Sequence, residues 1–222
     1  MATAVVKDNH LKFNGKNYFR VGSEDVGLGS YGEKKSPLTQ GNYLEVQDHI
    51  PTPKLKVKEA VEVEIDFSES TERDILANIN VAGVFQGSAG TAYADLKSGR
   101  LKLVKLRIDN EDIKDAINQS PKVIEDLIEY GNDARIAHQV FIILEDTLAR
   151  TVTTGTSFSV AVDAGKVKLT VTGGTGSSST ATITLSENMT FAYGLVKLDW
   201  DAQQKKNMTK ATKVTDDQWG PA

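Results

Sequence analysis

Three histidines, two acidic pairs and a glycine cluster are the groupings in this 222-residue chain whose types would suggest chemistry. His10, His49 and His138 stand far apart, without the HxxxH spacing or acidic partner that builds a metal site, so no metal is expected. Glu62 and Glu64 have acid–base capacity, but with Asp66 they recur at every second residue, the spacing of one water-facing side of a strand and not of a cleft. Asp216 and Asp217 fall in a polar tail. Gly27, Gly29 and Gly32 have the freedom to cradle a phosphate, yet no helix-forming segment and no Lys-Ser/Thr pair follows, which leaves a plain loop as the reading. Without cysteine there is no thiolate ligand, Cys nucleophile or disulfide. No nucleophile elbow or dinucleotide fingerprint is present either. The chain reads as a non-enzyme without cofactors.

The elements around these residues carry more information. Val61, Val63, Ile65 and Phe67 share one face of a period-two strand opposite Glu62, Glu64 and Asp66, and the segment from Ile75 through Ile79 and Val81 to Phe85 reads as its return. Phe158, Val160 and Val162 alternate with polar or small residues and are answered, after Asp163-Ala164-Gly165, by Val167, Leu169 and Val171. Each arm reaches about 9–11 residues, the length of a tilted strand crossing a bilayer. The same alternation suits two edge hairpins packed by one face on a core. Lys54, Lys56 and Lys58 line one side of the approach to the first pair, as a solvated edge or as a contact for acidic lipid.

Between the pairs the period changes. Asp109 to Asp112 supplies caps and first-turn acids for a helix bearing Ile113, Ala116 and Ile117, and Ser120-Pro121 restarts it with Val123, Ile124, Leu127 and Ile128 before Gly131-Asn132. Val140 to Leu144 is apolar on both faces, as a buried central strand should be. Thr180–Leu185 and Thr190–Leu198 close the β pattern, and Trp219 is the one large aromatic of the tail, placed either to dock or to hang free. The predicted class is α+β: a twisted, mostly antiparallel sheet with two long hairpins and a helical block between them. Lys+Arg of 26 against Asp+Glu of 30 give a net charge of −4, so an acidic partner must be met by a local patch and nucleic acid is not expected. No run approaches the about 18 apolar residues of a membrane helix, and a chain made soluble is expected.

Leu38-Thr-Gln-Gly41 leading to Asp48-His-Ile-Pro51-Thr-Pro53, and Thr182 through Glu187-Asn-Met-Thr190-Phe-Ala-Tyr-Gly194 to Val196, join this order of elements in a resemblance to the pore-forming N-terminal domain of gasdermins, across Leu38 to Leu198. The compact bacterial or fungal type fits best. The resemblance implies a pore-forming domain over 1–198 and a polar tail over 199–222 as a short regulatory segment. It implies a cytoplasmic protein that binds acidic lipid at the inner face of the plasma membrane, assembles into homo-oligomers, inserts both hairpins and kills the cell, on activation by a protease or partner protein. Lys12, Lys16, Arg20, Lys34 and Lys35 join Lys54, Lys56 and Lys58 as candidate lipid contacts. The inserting set is Val61, Val63, Ile65, Phe67, Ile75, Ile79 and Val81 with Phe158, Val160, Val162, Val167, Leu169 and Val171. Glu62, Glu64 and Asp66 would then face the water-filled lumen, because burying carboxylates in hydrocarbon costs a few kcal/mol each. Ile65→Asp and Leu169→Asp are expected to abolish leakage while sparing the soluble fold. The rival reading is a ring or tube subunit such as a phage tail-tube protein, which assembles in buffer and ignores vesicles; a monomeric ligand-binding β-sandwich would do neither.

Overall fold

The structure, a computed structural model, describes residues 3–38, 41–51, 55–78, 88–163, 166–173, 180–185, 189–200 and 210–219. Its N-terminal strands β1 (Thr3–Val6), β2 (His10–Phe13) and β3 (Lys16–Phe19) form a meander. Asn14 and Gly15 turn the second hairpin with φ of 49° and 74°, both left-handed, as an Asn-Gly turn requires.

Strand pairing then runs around a circle. We number β4 (Ser30–Lys35), β5 (Tyr43–His49), β6 (Leu55–Ile65), β7 (Leu101–Ile108), β8 (Ala134–Glu145), β9 (Ser157–Asp163), β10 (Lys166–Thr172), β11 (Thr180–Leu185), β12 (Thr190–Trp200) and β13 (Ala211–Asp217). β3 touches β12 through the Phe19–Tyr193 pair; β12 pairs with β8, β8 with β7 and β7 with β6, all antiparallel. β6 returns to β1 in parallel, Glu64 and Ile65 opposite Thr3 and Ala4. A buried cluster takes Ala4 from β1, Phe13 from β2, Tyr18 from β3, Val63 from β6, Leu103 from β7, Phe141 from β8 and Phe191 from β12, so it occupies the inside of this ring. Phe141 packs edge-on against both Phe13 and Tyr18, at 5.8 and 4.7 Å between centroids.

A second and larger core lies outside the ring. There α3 (Asn110–Asn118) buries Ile113 and Ile117, and α4 (Pro121–Glu129) buries Val123, Ile124 and Leu127, against β8, β12 and the sheet extensions β4–β5 and β9–β10–β11. Both helices start where the sequence places them, behind Asp109 and at Pro121. β8 is buried through all but its last residue. It is flanked by β12 along its length, by β4 at its start and by β7 at its end, so neither edge nor face meets water. Gly27 and Gly29 lie in the loop before β4, where Gly29 donates its N–H to the Ala137 carbonyl. Gly32 sits in β4 with an imagined Cβ only 2.0 Å from the Glu45 carbonyl oxygen, so any side chain would break the β4–β5 pairing.

One expected element takes a different form. The return strand from Ile75 is replaced by helix α1 (Glu72–Leu76), whose Thr71 and Asp74 make reciprocal capping bonds, followed by α2 (Ala89–Ser98) behind Ser88. Ile79 and Val81 lie outside the described residues. The partner of β6 is therefore β7, which follows α1 and α2 in the chain, and the physical reason is local: a Thr-x-x-Asp box starts a helix where alternation alone suggests a strand. A further helix, α5 (Asp146–Thr153), joins β8 to β9.

Candidate functional site

Two paired ribbons carry the alternating pattern. In the first, Glu59, Val61 and Val63 stand opposite Arg107, Lys105 and Leu103, while Glu62 stands opposite Val104. One face is thus apolar from Val61 through Ile65 with Leu101 and Leu103, but ends at its base in Glu59, Lys105 and Arg107. The Lys105 ammonium, inside the ring of strands, bonds Glu59 at 3.3 Å and lies 5.7 Å above the Phe13 ring. On the other face Lys102 bonds Glu62 at 2.8 Å, leaving Glu64 exposed. Val63 is buried; Val61, Ile65 and Phe67 are partly buried and pack on the inner cluster. Ile75 is fully buried, on a helix.

The second ribbon is β9 and β10, paired throughout from Ser157–Thr172 to Asp163–Lys166, with Val162 opposite Val167. Each arm is 7 residues, shorter than the sequence pattern suggested, and β11 extends the sheet on the far side. Val160, Leu169 and Val171 are buried in the outer core with Phe158 partly covered. The opposite face is a hydroxyl ladder, with Ser157, Thr172 and Thr180 in one row and Ser159, Thr170 and Thr182 in the next.

The expected cationic surface divides three ways. Arg20 is fully buried, which overturns its assignment as a lipid contact in this conformation. Its guanidinium donates to the carbonyls of Lys7 and Asp74 at 2.5 Å, Ile75 at 3.0 Å, Ala77 at 2.7 Å and, more weakly, Phe191 at 3.4 Å, and lies over the Phe191 ring. Three of those acceptors are the open carbonyls at the C-terminal end of α1, so one cation closes a helix and ties it to β1 and β12. Burial pushes this guanidinium down to about 9, partly opposed by Asp74 and Asp8, so it stays charged at neutral pH.

A second group is held by carboxylates. Lys16 bonds Asp216 at 2.6 Å, Lys34 bonds Asp217 at 3.0 Å, Lys35 bonds Glu33 at 2.6 Å, and Lys58 pairs with Asp109. Lys12 and Lys56 form the third group: both are exposed and make no ion pair among the described residues. Lys54 lies outside the described residues.

Strand β13 occupies a stretch that the sequence marks only as polar tail. It pairs with β12 from Leu195–Asp217 to Trp200–Ala211, and its two terminal carboxylates collect the cations. Asp217 takes Arg135 Nε at 2.6 Å as well as Lys34; Asp216 also accepts from Asn110 at 3.4 Å. Burial pushes the Asp217 carboxyl up, but the bonds from Arg135 and Lys34 outweigh it and hold the group below its ordinary value. Trp219 docks: its ring stacks on His10 at 4.3 Å and its backbone N–H donates to the Asn17 carbonyl. The signal available in the sequence is only the β-branched set Thr212, Val214 and Thr215; the two buried residues, Ala211 and Val214, do not follow a period of two because the register shifts beside Ala211.

Among the described residues no helix is long and apolar enough to cross a membrane. The geometry offers instead two amphipathic ribbons with their apolar faces sheltered and most nearby cations held by acids. A family model described as the gasdermin pore-forming domain matches residues 45–216, from β5 into β13. No curated protein and no solved structure matches the chain.

Proposed function

This chain belongs to the gasdermin pore-forming family, and we propose on that basis that it binds acidic membrane lipid, oligomerises, and inserts β6–β7 and β9–β10 as barrel strands that permeabilise the membrane and kill the cell. The observation that carries this reading is the match over residues 45–216 lying on two antiparallel ribbons, β9–β10 with one apolar face and β6–β7 with Val61, Val63, Ile65, Leu101 and Leu103 on one face and Val104 and Leu106 packed into the outer core on the other. In lipid, ribbons leave no backbone group unpaired only if copies close a barrel, so insertion and oligomerisation go together.

Register sets what must change. The apolar face of β6 runs from Val61 to Ile65, about 13 Å at ~3.3 Å per residue, short of the ~25 Å apolar band of a membrane barrel. Glu59, Lys105 and Arg107 end the band at its base, so the missing height comes from the opposite end. Residues now in α1 and α2 therefore refold into strand on insertion, and Arg20 loses its helix-end acceptors when they do. Glu62, Glu64 and Lys102 face the lumen, while Lys12 and Lys56 meet lipid headgroups at about 1 kcal/mol per residue near the surface. Residues 199–222 act as a regulatory segment because β13 holds Lys16, Lys34 and Arg135 away from lipid.

Dye release tests the reading. Vesicles containing about a third phosphatidylserine should leak on addition of the protein, and neutral phosphatidylcholine vesicles should not. Rings or tubes forming in buffer, with both vesicle types intact, would select the tube-subunit reading instead.

A further inference from the structure

The register between β8 and β12 slips at two places, and at the second Gln139 faces Gly194 and Ala137 faces Leu195, leaving His138 without a partner on β12. Such a bulge breaks the alternation of the strand and re-aims its side chains. Here His138 and Gln139 end up in contact, Nε2 to Nε2 at 2.8 Å, at the end of the barrel covered by β13. The Tyr18 hydroxyl donates to Gln139 Oε1 at 3.3 Å, which turns the amide N–H toward His138. His138 Nε2 is then an acceptor and the ring proton sits on Nδ1, a buried atom with no partner among the described residues. The histidine is 1% exposed.

We propose that His138 is an acid-sensitive latch beneath the C-terminal strand, so that protonating it releases β13 from the barrel and frees Lys16, Lys34 and Arg135 for anionic lipid. This rests on the pore-forming reading above only in what the freed cations do. Protonation would set an imidazolium N–H against the Gln139 N–H. The groups around the ring also oppose a charge: Arg107 and Lys105 from β7 and Lys16 from β3 face it, and only Asp216 of β13, at 3.8 Å, favours it. Asp216 is already engaged by Lys16 and Asn110, Lys105 by Glu59, and the Tyr18 hydroxyl is neutral. Once β13 leaves, water reaches the ring. His10 points the same way, since burial, in which the stacked Trp219 ring shares, lowers its pKa.

Burial pushes His138 down to about 4 against its ordinary 6.5. A base whose pKa is depressed in the closed state loses stability as pH falls below 6.5, with the loss complete near 4. Between pH 7.5 and 5 the strand-open population should rise roughly thirtyfold.

The test is amide hydrogen exchange of residues 211–217 in the full chain, without lipid, from pH 7.5 to 5 after correction for intrinsic exchange. Protection should fall by roughly the same factor. His138→Gln should remain protected throughout, while His49→Gln, away from β13, should open as the wild type does. Unchanged protection in the wild type, or equal opening in His138→Gln, overturns the latch. If His138→Gln does not fold, the imidazole titration of the wild type decides: suppression below 6 with loss of β13 protection supports it, and an ordinary midpoint overturns it. Leakage of phosphatidylserine vesicles at each pH separates the two readings. Opening without leakage keeps the latch and removes the pore; leakage with β13 still protected at pH 5 does the reverse.

Discussion

Replacing Arg20 by Met separates a structural cation from a lipid-binding one. The side chain is fully buried and serves five backbone carbonyls, three of them at the end of α1. Met keeps most of the stem and its packing on Phe191 but supplies no donor, so these acceptors lose their partner in a place water does not reach. An orphaned buried acceptor costs about 1–3 kcal/mol, and breaking a buried charged network about 3–5 kcal/mol in all, since the individual losses overlap. With a urea m-value of about 3 kcal/mol/M, suited to a chain this long, the unfolding midpoint should drop by about 1–1.7 M. Equilibrium unfolding followed by tryptophan fluorescence reads this, with Lys12→Met as the exposed control that should not move. An Arg20→Met protein with the wild-type midpoint and weakened binding to phosphatidylserine vesicles would show that the guanidinium reaches the surface, and the reasoning from burial would fail.

Leu169→Asp puts a charge at a position with 0% exposure and should unfold the soluble protein, at about 3–5 kcal/mol, which corrects the expectation that it would spare the fold. Ile65→Asp, at a partly exposed position, should leave a cooperative thermal transition and still abolish dye release, which makes it the informative probe of the lipid face. Asp217→Asn should cost about 2 kcal/mol at pH 7 by weakening the bonds from Arg135 and Lys34. Because the carboxyl titrates below its ordinary value in the folded protein, its contribution is present above about pH 4 and disappears as pH falls through the folded pKa. Denaturation at pH 7 and at pH 2.5 should therefore show the variant and wild type converging in acid.

Much of this protein is settled by local pattern. Alternation marks β6, β9 and β10, the Asp109 and Ser120-Pro121 signals start α3 and α4, the run Val140 to Leu144 marks a strand buried on both faces, and Asn14-Gly15 makes its hairpin, because in each case the deciding interaction lies within a few residues. The Thr71–Asp74 box is equally local and turns the expected return strand into helix. What only the tertiary structure decides is which surfaces are spent. Arg20 and Lys12 are both cations of the N-terminal meander, yet one is walled in by α1 and Phe191 while the other stays in water. Asp216 and Asp217 look like solvated tail charges until β13 pairs with β12 and brings them to Lys16, Lys34 and Arg135, up to 200 residues away in the chain. Closure of the ring through β1 and β6, and the bulge that turns His138 toward Gln139, depend likewise on strands meeting across long sequence separations. Spacing along a chain determines which face a side chain takes; what stands opposite that face is set by the fold as a whole.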